Sequence, residues 1–330
     1  MNQSLTEIGE EVLKILKEED RFQVVTHVFP DGDGIGSSLA TYKLLKNLGK
    51  KVQVHIDSTV PYQYQFLPQA QVLTERVLPE VRARVLIVLD SSDLARIAPC
   101  TQEMEEFEYI INVDHHHHNS QFGHLNMVDP GASSTTEMLF YLFWEKVEID
   151  YDMALCLYTG LVFDTGRFQY ANTTQRSHHM ASHLIGLGVN PNYVFRNVYE
   201  NQPPGVLDLY ARALQRAHFH RDTGLIHSYV KLQDLQDHAL SFSASERVID
   251  FLRSVRGVTV AAVFKEYEKG YRVSLRSTGD QDVSKIALSF GGGGHPMAAG
   301  FEWHGEMAAC LMRLQQEIQR QLKSKRDESQ

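Results

Sequence analysis

Three apolar, β-branched runs constrain this chain most, because each closes on acids or histidines. QVVTHV reaches His27, VLIVLD ends on Asp90, and YIINVD ends on Asp114 with His115 and His116 behind it. A fourth, looser run, LYTGLVFD, ends on Asp164. Short, unbroken β-branched runs read as strands buried on both faces, the condition of a parallel sheet covered by helices. In such sheets ligands bind outside the carboxyl ends of the strands, where these polar residues stand. Carboxylate oxygen and neutral imidazole nitrogen, with no thiolate, are ligands for Mn²⁺, Mg²⁺ or Zn²⁺. The pattern implies one polar site at the rim of a sheet, suited to metal-dependent hydrolysis.

Around these runs the elements alternate. A helix over about 5–18 leads to a strand at about 22–28, the glycine-rich loop FPDGDGIGSS and an amphipathic helix to about Leu48. Further strands are predicted at about 51–57, 84–90 and 109–114, and helices at about 133–147, 152–163, 174–187 and 191–200. Paired prolines in NQPPGV break the helical pattern. The expected organisation is a first domain over about 1–200, a linker helix over about 201–219 and a second domain over about 220–330. In the second block, strands near GLIHSYVK, VTVAAVFKEY and YRVSLRS precede a helix from Val283, the run Gly291–Gly294 with His295, and an amphipathic helix at about 306–322. The tail KSKRDESQ reads as a frayed, solvated end. The fold class is α/β: a mostly parallel sheet covered by helices, plus a smaller α/β C-terminal domain. At 330 residues the chain can bury two cores.

A formal charge of −9 argues against coating long nucleic acid, which takes many Lys and Arg contacts. Bound divalent cations reverse a local negative potential, so a small phosphorylated substrate stays open. Cys100, Cys156 and Cys310 are far apart and form no C-x-x-C, as in the reduced thiols of a cytosolic protein. The N-terminal segment carries Glu7, Glu10 and Glu11 and no continuous apolar stretch, unlike a signal peptide. Runs such as MLFYLFW fall short of the roughly 20 residues a membrane helix needs, and read as core. The expected address is the cytoplasm, with no membrane contact and the oligomeric state open between monomer and homodimer.

Each cluster has a plainer reading. In His27–Gly36, Pro30 stops the strand and the glycines allow a tight turn in which His27, Asp31 and Asp33 can converge. An EF-hand loop from Asp31 would want Asp or Asn at Ile35 and Glu at Tyr42; a P-loop needs a lysine; the dinucleotide motif needs two residues before its third glycine. What competes is an ordinary strand-to-helix turn with Asp as cap. Asp90 alone reads as a cap or turn residue, and Asp164 alone as a helix-end carboxylate. On the strand end, Asp114 and His116 point one way and His115 the other, so they serve different roles. His117 and His118 read as loop residues, and His178, His179 and His183 as a solvated helix face. Arg167 would reach substrate phosphate or make a surface ion pair, and four glycines alone would be a flexible turn.

Taken together, HVFPDGD, VLDSSD, VDHHHHN and FDTG closely resemble the four motifs of the DHH phosphoesterase superfamily, and SLRSTGDQDVSKIALSFGGGGHPMAAG resembles the DHH-associated domain. The resemblance covers about residues 20–310 and is similar to the NrnA group in particular. It implies that His27, Asp31 and Asp90 hold one metal, and that Asp33, Asp90, His115 and Asp164 hold a second, with Asp90 bridging. Asp114 would orient a ligand histidine, and His116 would contact the scissile phosphate. Arg276, Ser277, Gly293, Gly294 and His295 match the family's substrate-binding strand and glycine loop, where backbone N–H groups approach phosphate. The implied cofactors are two divalent cations, Mn²⁺ first and Mg²⁺ or Co²⁺ as alternatives. The implied partners are short single-stranded RNA oligonucleotides (nanoRNA), cut to nucleoside 5′-monophosphates, and 3′-phosphoadenosine 5′-phosphate, converted to AMP, with substrate lying between the two domains. The rivals are a cyclic or linear dinucleotide phosphodiesterase of the same superfamily and a nucleotide-binding regulator without turnover.

Overall fold

The computed structural model describes residues 3–75, 82–97, 100, 103–279 and 281–328. The chain divides into two compact units, Met1–Asn201 and Gln202–Gln330.

The first unit runs α1 (Gln3–Glu18), β1 (Arg21–Thr26), α2 (Gly32–Asn47), β2 (Lys51–His55), β3 (Leu73–Thr74), β4 (Val85–Leu89), β5 (Tyr109–Asp114), β6 (Leu125–Val128), α3 (Thr135–Phe143), α4 (Tyr151–Asp164), α5 (Gln175–Gly186) and α6 (Pro191–Phe195). Its strands form one parallel sheet in the order β3-β2-β1-β4-β5-β6. All five residues of β4 are buried, as are the last five of β1 and of β5, so these runs are apolar without alternation. The chain leaves β1 toward β2 and returns on its other side as β4. The carboxyl ends of β1, β4 and β5 therefore flank a topological switch point, where open α/β sheets bind ligands. Among the described residues no helix is long and apolar enough to cross a membrane.

The expected glycine-rich loop is instead the first turn of α2, capped by Asp31, whose Oδ1 accepts from the Asp33 and Gly34 amides. Gly32, Gly34 and Gly36 do not take positive φ. Here close approach, not turning, demands glycine: a Cβ on Gly36 would lie 2.5 Å from the Cys156 carbonyl oxygen of α4. Two expected helices are shorter than predicted. α3 stops at Phe143, and after α6 the chain widens into a π turn over Arg196–Glu200. Of MLFYLFW, Tyr141 and Trp144 are only partly buried, while the other five residues enter the core.

The second unit runs α7 (Gly205–Gln215), β7 (His218–His220), β8 (Leu225–Val230), α8 (Leu232–Gln236), α9 (Val248–Arg253), β9 (Val260–Tyr267), β10 (Gly270–Ser277), α10 (Val283–Ser289), β11 (Gly293–His295), β12 (Ala298–Trp303) and α11 (Met307–Glu328). Its mixed sheet has the order β11-β12-β10-β9-β8-β7, with only β8 and β9 parallel. The helix anticipated as a connector is α7, whose Val206, Leu209, Tyr210 and Ala213 pack with Ile226 and Val263. On a second core, Ile286 of α10 and Leu314 and Ile318 of α11 cover Phe264 and Leu275. α11 continues to Glu328 where a frayed tail was expected; the last two residues lie outside the described set.

Candidate metal centre

His27 lies just past β1, bridged to Ile97. Its Nδ1 donates to the Val28 carbonyl at 2.9 Å, so in the neutral ring Nε2 carries the lone pair, 3.8 Å from Asp31 Oδ1 and 3.5 Å from Asp90 Oδ2. His115 is set the same way. Nδ1 donates to the Ala132 carbonyl at 3.3 Å, and Nε2 lies 3.0 Å from Asp164 Oδ2, 3.5 Å from Asp90 Oδ1 and 4.0 Å from Asp33 Oδ2. Asp90 thus offers one oxygen to each histidine. It adopts φ +56°, a strained choice for a non-glycine residue, at the point where β4 stops.

Among the described residues the carboxylates form three sets: His27, Asp31 and Asp90; Asp33, His115 and Asp164; and Asp90, Asp114 and His116. Asp90 belongs to the first and third and faces His115 of the second. The expected convergence of His27, Asp31 and Asp33 is therefore split, because residues two apart at a helix start do not face each other. Asp33 turns to the N-terminus of α3, where its oxygens accept from the Thr135 amide at 2.6 Å, the Thr136 amide at 3.0 Å and the Thr136 hydroxyl at 2.7 Å. Asp164 comes from the last residue of α4, and Gly166, Arg167 and Phe168 just after it all take positive φ.

Strand alternation sends Asp114 to His116: Asp114 Oδ1 lies 2.6 Å from His116 Nδ1, while Oδ2 accepts from Asn119 Nδ2 at 2.6 Å. Asp114 is thus placed to orient His116. His115, on the opposite side of the strand, takes its orientation from Ala132. His116 Nδ1 is 3.8 Å from Asp90 Oδ1. His117 and His118 lie exposed beyond the strand. Arg167 makes no carboxylate pair among the described residues and lies over the Tyr199 ring at 5.1 Å. His178 and His179 are exposed and stack on Phe168 and Tyr141.

Two supports escaped sequence reasoning. One is the Ser134–Thr136 turn beneath Asp33; its signal was the capping pattern Ser134-x-x-Glu137, in which the Ser134 hydroxyl accepts from the Glu137 amide. The other is the Asn119–Asn112 pair behind Asp114, at 2.8 Å, for which the sequence carries no signal.

The electrostatics of these groups are strongly perturbed. Burial, then the neighbouring charges of Asp90 and Asp164, push Asp33 well above the usual carboxylate range, and burial raises Asp164 as well. Burial opposes charge on Asp90 too, but hydrogen bonds from His115 and His27 outweigh it and hold this carboxyl well below its usual value. Burial alone would lower both histidines, yet their carboxylate neighbours raise His27 and His115 well above the usual imidazole value. With these protons released, four buried or half-buried carboxylates around two neutral imidazoles carry a negative charge that suits a divalent cation. The oxygen and imidazole donor set fits such an ion.

In the second unit, Arg276 of β10 and His295 of β11 both stand opposite Ala298 of β12, so their side chains share one face across a small residue. Two strand spacings put them about 9.5 Å apart, a gap in which an anion could lie. Arg276 Nη1 donates to the Leu275 carbonyl at 3.0 Å, and its buried Nε has no partner among the described residues. Ser277 is buried and its hydroxyl accepts from the Gly279 amide. The glycine run is a turn at Gly291 and Gly292 that enters an edge strand, where Gly293 faces Gly300 and Gly294 faces Ala299. Gly294 has φ +137°, and a Cβ there would come within 2.5 Å of the Ala298 carbonyl oxygen.

Residues 21–161 match the DHH family, N-terminal domain, and residues 222–324 match the DHHA1 domain. The chain is 34% identical over 319 residues to a bifunctional oligoribonuclease and PAP phosphatase NrnA of Thermus thermophilus, covering 96% of this chain and 92% of that one. It is 26% identical over 294 residues to the protein of the same name from Bacillus subtilis, covering 88% and 91%. An exopolyphosphatase-related protein from Bacteroides fragilis superposes with a TM-score of 0.83 at 25% identity over 96% of each chain.

Proposed function

This chain belongs to the DHH family, and on that footing we propose that it is a metal-dependent phosphoesterase acting on short RNA oligonucleotides and on 3′-phosphoadenosine 5′-phosphate. It releases nucleoside 5′-monophosphates from the first and AMP from the second. The observation that carries the reading is Asp90, which turns one oxygen to each of two histidines set for cation binding. In this reading His27, Asp31 and Asp90 hold one divalent cation, Mn²⁺ foremost, and Asp33, Asp90, His115 and Asp164 hold the other. Bound there, the pair supplies Lewis acidity to the phosphoryl group and activates water.

The chain's own residues do the rest. The Val28 and Ala132 carbonyls fix the tautomers of His27 and His115, so that each Nε2 is ready as a donor atom. The α3 N-terminus keeps Asp33 oriented without competing charge. His116, held by Asp114, offers a hydrogen bond to the scissile phosphate. Burial opposes the charge on Asp114, yet His116 outweighs it and keeps this carboxyl below its usual value. In the second unit, Arg276, Ser277, Gly293, Gly294 and His295 bind substrate phosphate, the guanidinium through charge-assisted hydrogen bonds. Free cysteines at 100, 156 and 310 fit a cytoplasmic enzyme.

The test is a product time course with Mn²⁺ on a labelled dinucleotide, a pentanucleotide, a cyclic dinucleotide and 3′-phosphoadenosine 5′-phosphate. Monophosphates from the linear RNAs and AMP from the bisphosphate are expected. Turnover of the cyclic substrate alone would replace this reading with a cyclic dinucleotide phosphodiesterase, and no turnover of any with a regulator.

A further inference from the structure

We propose that His218, His220 and His227 bind a zinc ion at the edge of the second sheet, using none of the candidate ligands described above. β7 is the outermost strand of that sheet and pairs only with β8. In their antiparallel register His218 stands opposite His227, and His220, two residues on, shares their face. The three rings gather there. Centroids of His218 and His220 lie 4.6 Å apart, those of His220 and His227 5.0 Å, and those of His218 and His227 5.9 Å.

The plainer reading is a hydrogen bond that stitches the sheet edge. His220 Nε2 and His227 Nδ1 are 3.0 Å apart, and Gln315 Nε2 of α11 lies 2.9 Å from His220 Nδ1. That bond needs two rings, yet a third imidazole stands against both. Two imidazole nitrogens on one tetrahedral Zn²⁺, each about 2.0–2.1 Å from the ion, are about 3.3–3.4 Å apart. The His220–His227 pair therefore has to open only slightly, and the exposed His218 completes the set by turning its ring. Metal binding takes neutral imidazole. Burial first, then the neighbouring imidazoles, lowers His220 and brings His227 to about 4, so both rings are neutral at pH 7. A set of imidazoles without carboxylate suits Zn²⁺ rather than Mg²⁺ or Mn²⁺. The ion takes the place of the shared proton. His220 passes from the Nε2–H to the Nδ1–H tautomer, the Gln315 amide turns to accept that proton through Oε1, and His227 coordinates through Nδ1 with no proton released. β7, only three residues long, is thereby tied to β8.

The experiment titrates the full-length, metal-free protein with ZnSO₄. Long-range ¹H–¹⁵N spectra of wild type should show all three ring signals shift and His220 change tautomer, and zinc should raise Tm. These readings need no variant to fold. In equilibrium dialysis His220→Asn and His227→Gln should each bind one zinc fewer per chain than wild type. Gln315→Ala, which removes only a supporting partner, should weaken that zinc about tenfold to a hundredfold. The same loss of one ion on adding His220→Asn to Asp90→Ala would separate this zinc from any cation held at Asp90. Ring signals of these histidines unmoved by zinc, or a stoichiometry indifferent to His220 and His227, would overturn the proposal.

Discussion

At the scale of single residues, the divided loyalty of Asp90 makes it the position least open to substitution. Asp90→Ala takes an oxygen from both cation sets at once and leaves His27 and His115 without their shared partner. It is expected to abolish nearly all turnover and most Mn²⁺ binding while the chain stays folded. Equilibrium dialysis against Mn²⁺ beside an activity assay checks this, and wild-type rates at saturating Mn²⁺ would refute the bridging role. His116 is expected to behave differently, because its Nδ1 is held by Asp114 Oδ1 at 2.6 Å, whereas His115 Nε2 faces Asp33, Asp90 and Asp164. His116→Ala should keep its metals and lose about a hundredfold or more in kcat, the usual scale for a positioned proton donor. Elemental analysis showing one metal missing from that variant would break the division between the two histidines.

At the scale of elements, α2 and α4 must come close enough for Asp33 and Asp164 to meet at one histidine. Glycine makes that approach possible. Gly36→Ala would drive a Cβ to 2.5 Å from the Cys156 carbonyl oxygen and 3.2 Å from the Gly160 amide, both backbone atoms that cannot swing away. Overpacking of this kind costs about 1–3 kcal/mol. Denaturant melts should show that loss, together with a fall in Mn²⁺ affinity as the helices part. Unchanged stability would mean the contact relaxes freely.

A second element-scale test concerns the edge of the other sheet. His227 of β8 is buried beside His220, with ring nitrogens 3.0 Å apart, and packs against His218 and Phe264. Burial first, then the charges of His220 and His218, lowers its pKa to about 4. The unfolded chain protonates near the ordinary value of about 6.5, so between roughly pH 6.5 and 4 the unfolded state holds the extra proton. The stability of the neutral cluster is complete above that window and falls as pH drops through it. Tm measured from pH 7.5 to 4.5 should decline, and His227→Gln should flatten the decline. An equal slope in the variant would assign it to other groups.

For the whole molecule, the charge balance sets which substrates are favoured. At −9 overall, the phosphate grip proposed for the second unit rests on Arg276 and His295 together with backbone amides. Such a grip engages about two phosphates, so the logarithmic salt slope should stay near −1.4 on single strands. Initial rates against length, from two to about twenty-four nucleotides at two salt concentrations, should peak at about two to five nucleotides. Rates that climb with length, or a steep slope on long strands, would indicate an extended groove that this charge balance opposes.

The sequence by itself determined the parallel sheet and the candidate ligands at its rim. Buried strands are apolar on both faces, and polar residues at their ends have nowhere else to go than the carboxyl edge. His27, Asp90, Asp114 and His115 were legible for that reason. How the acids divide was expected from the family resemblance, and its physical cause lies in the tertiary structure. Asp31 and Asp33, neighbours in one motif, part because a helix begins between them, and Asp33 joins His115 and Asp164 from distant segments. Tertiary structure also decided that Asp114 serves His116 and that the second half of the four-glycine run enters an edge strand. Periodicity reports which face a side chain takes within its own element. Which groups meet across elements depends on helix crossings, strand order and close backbone approach, and no local pattern encodes those.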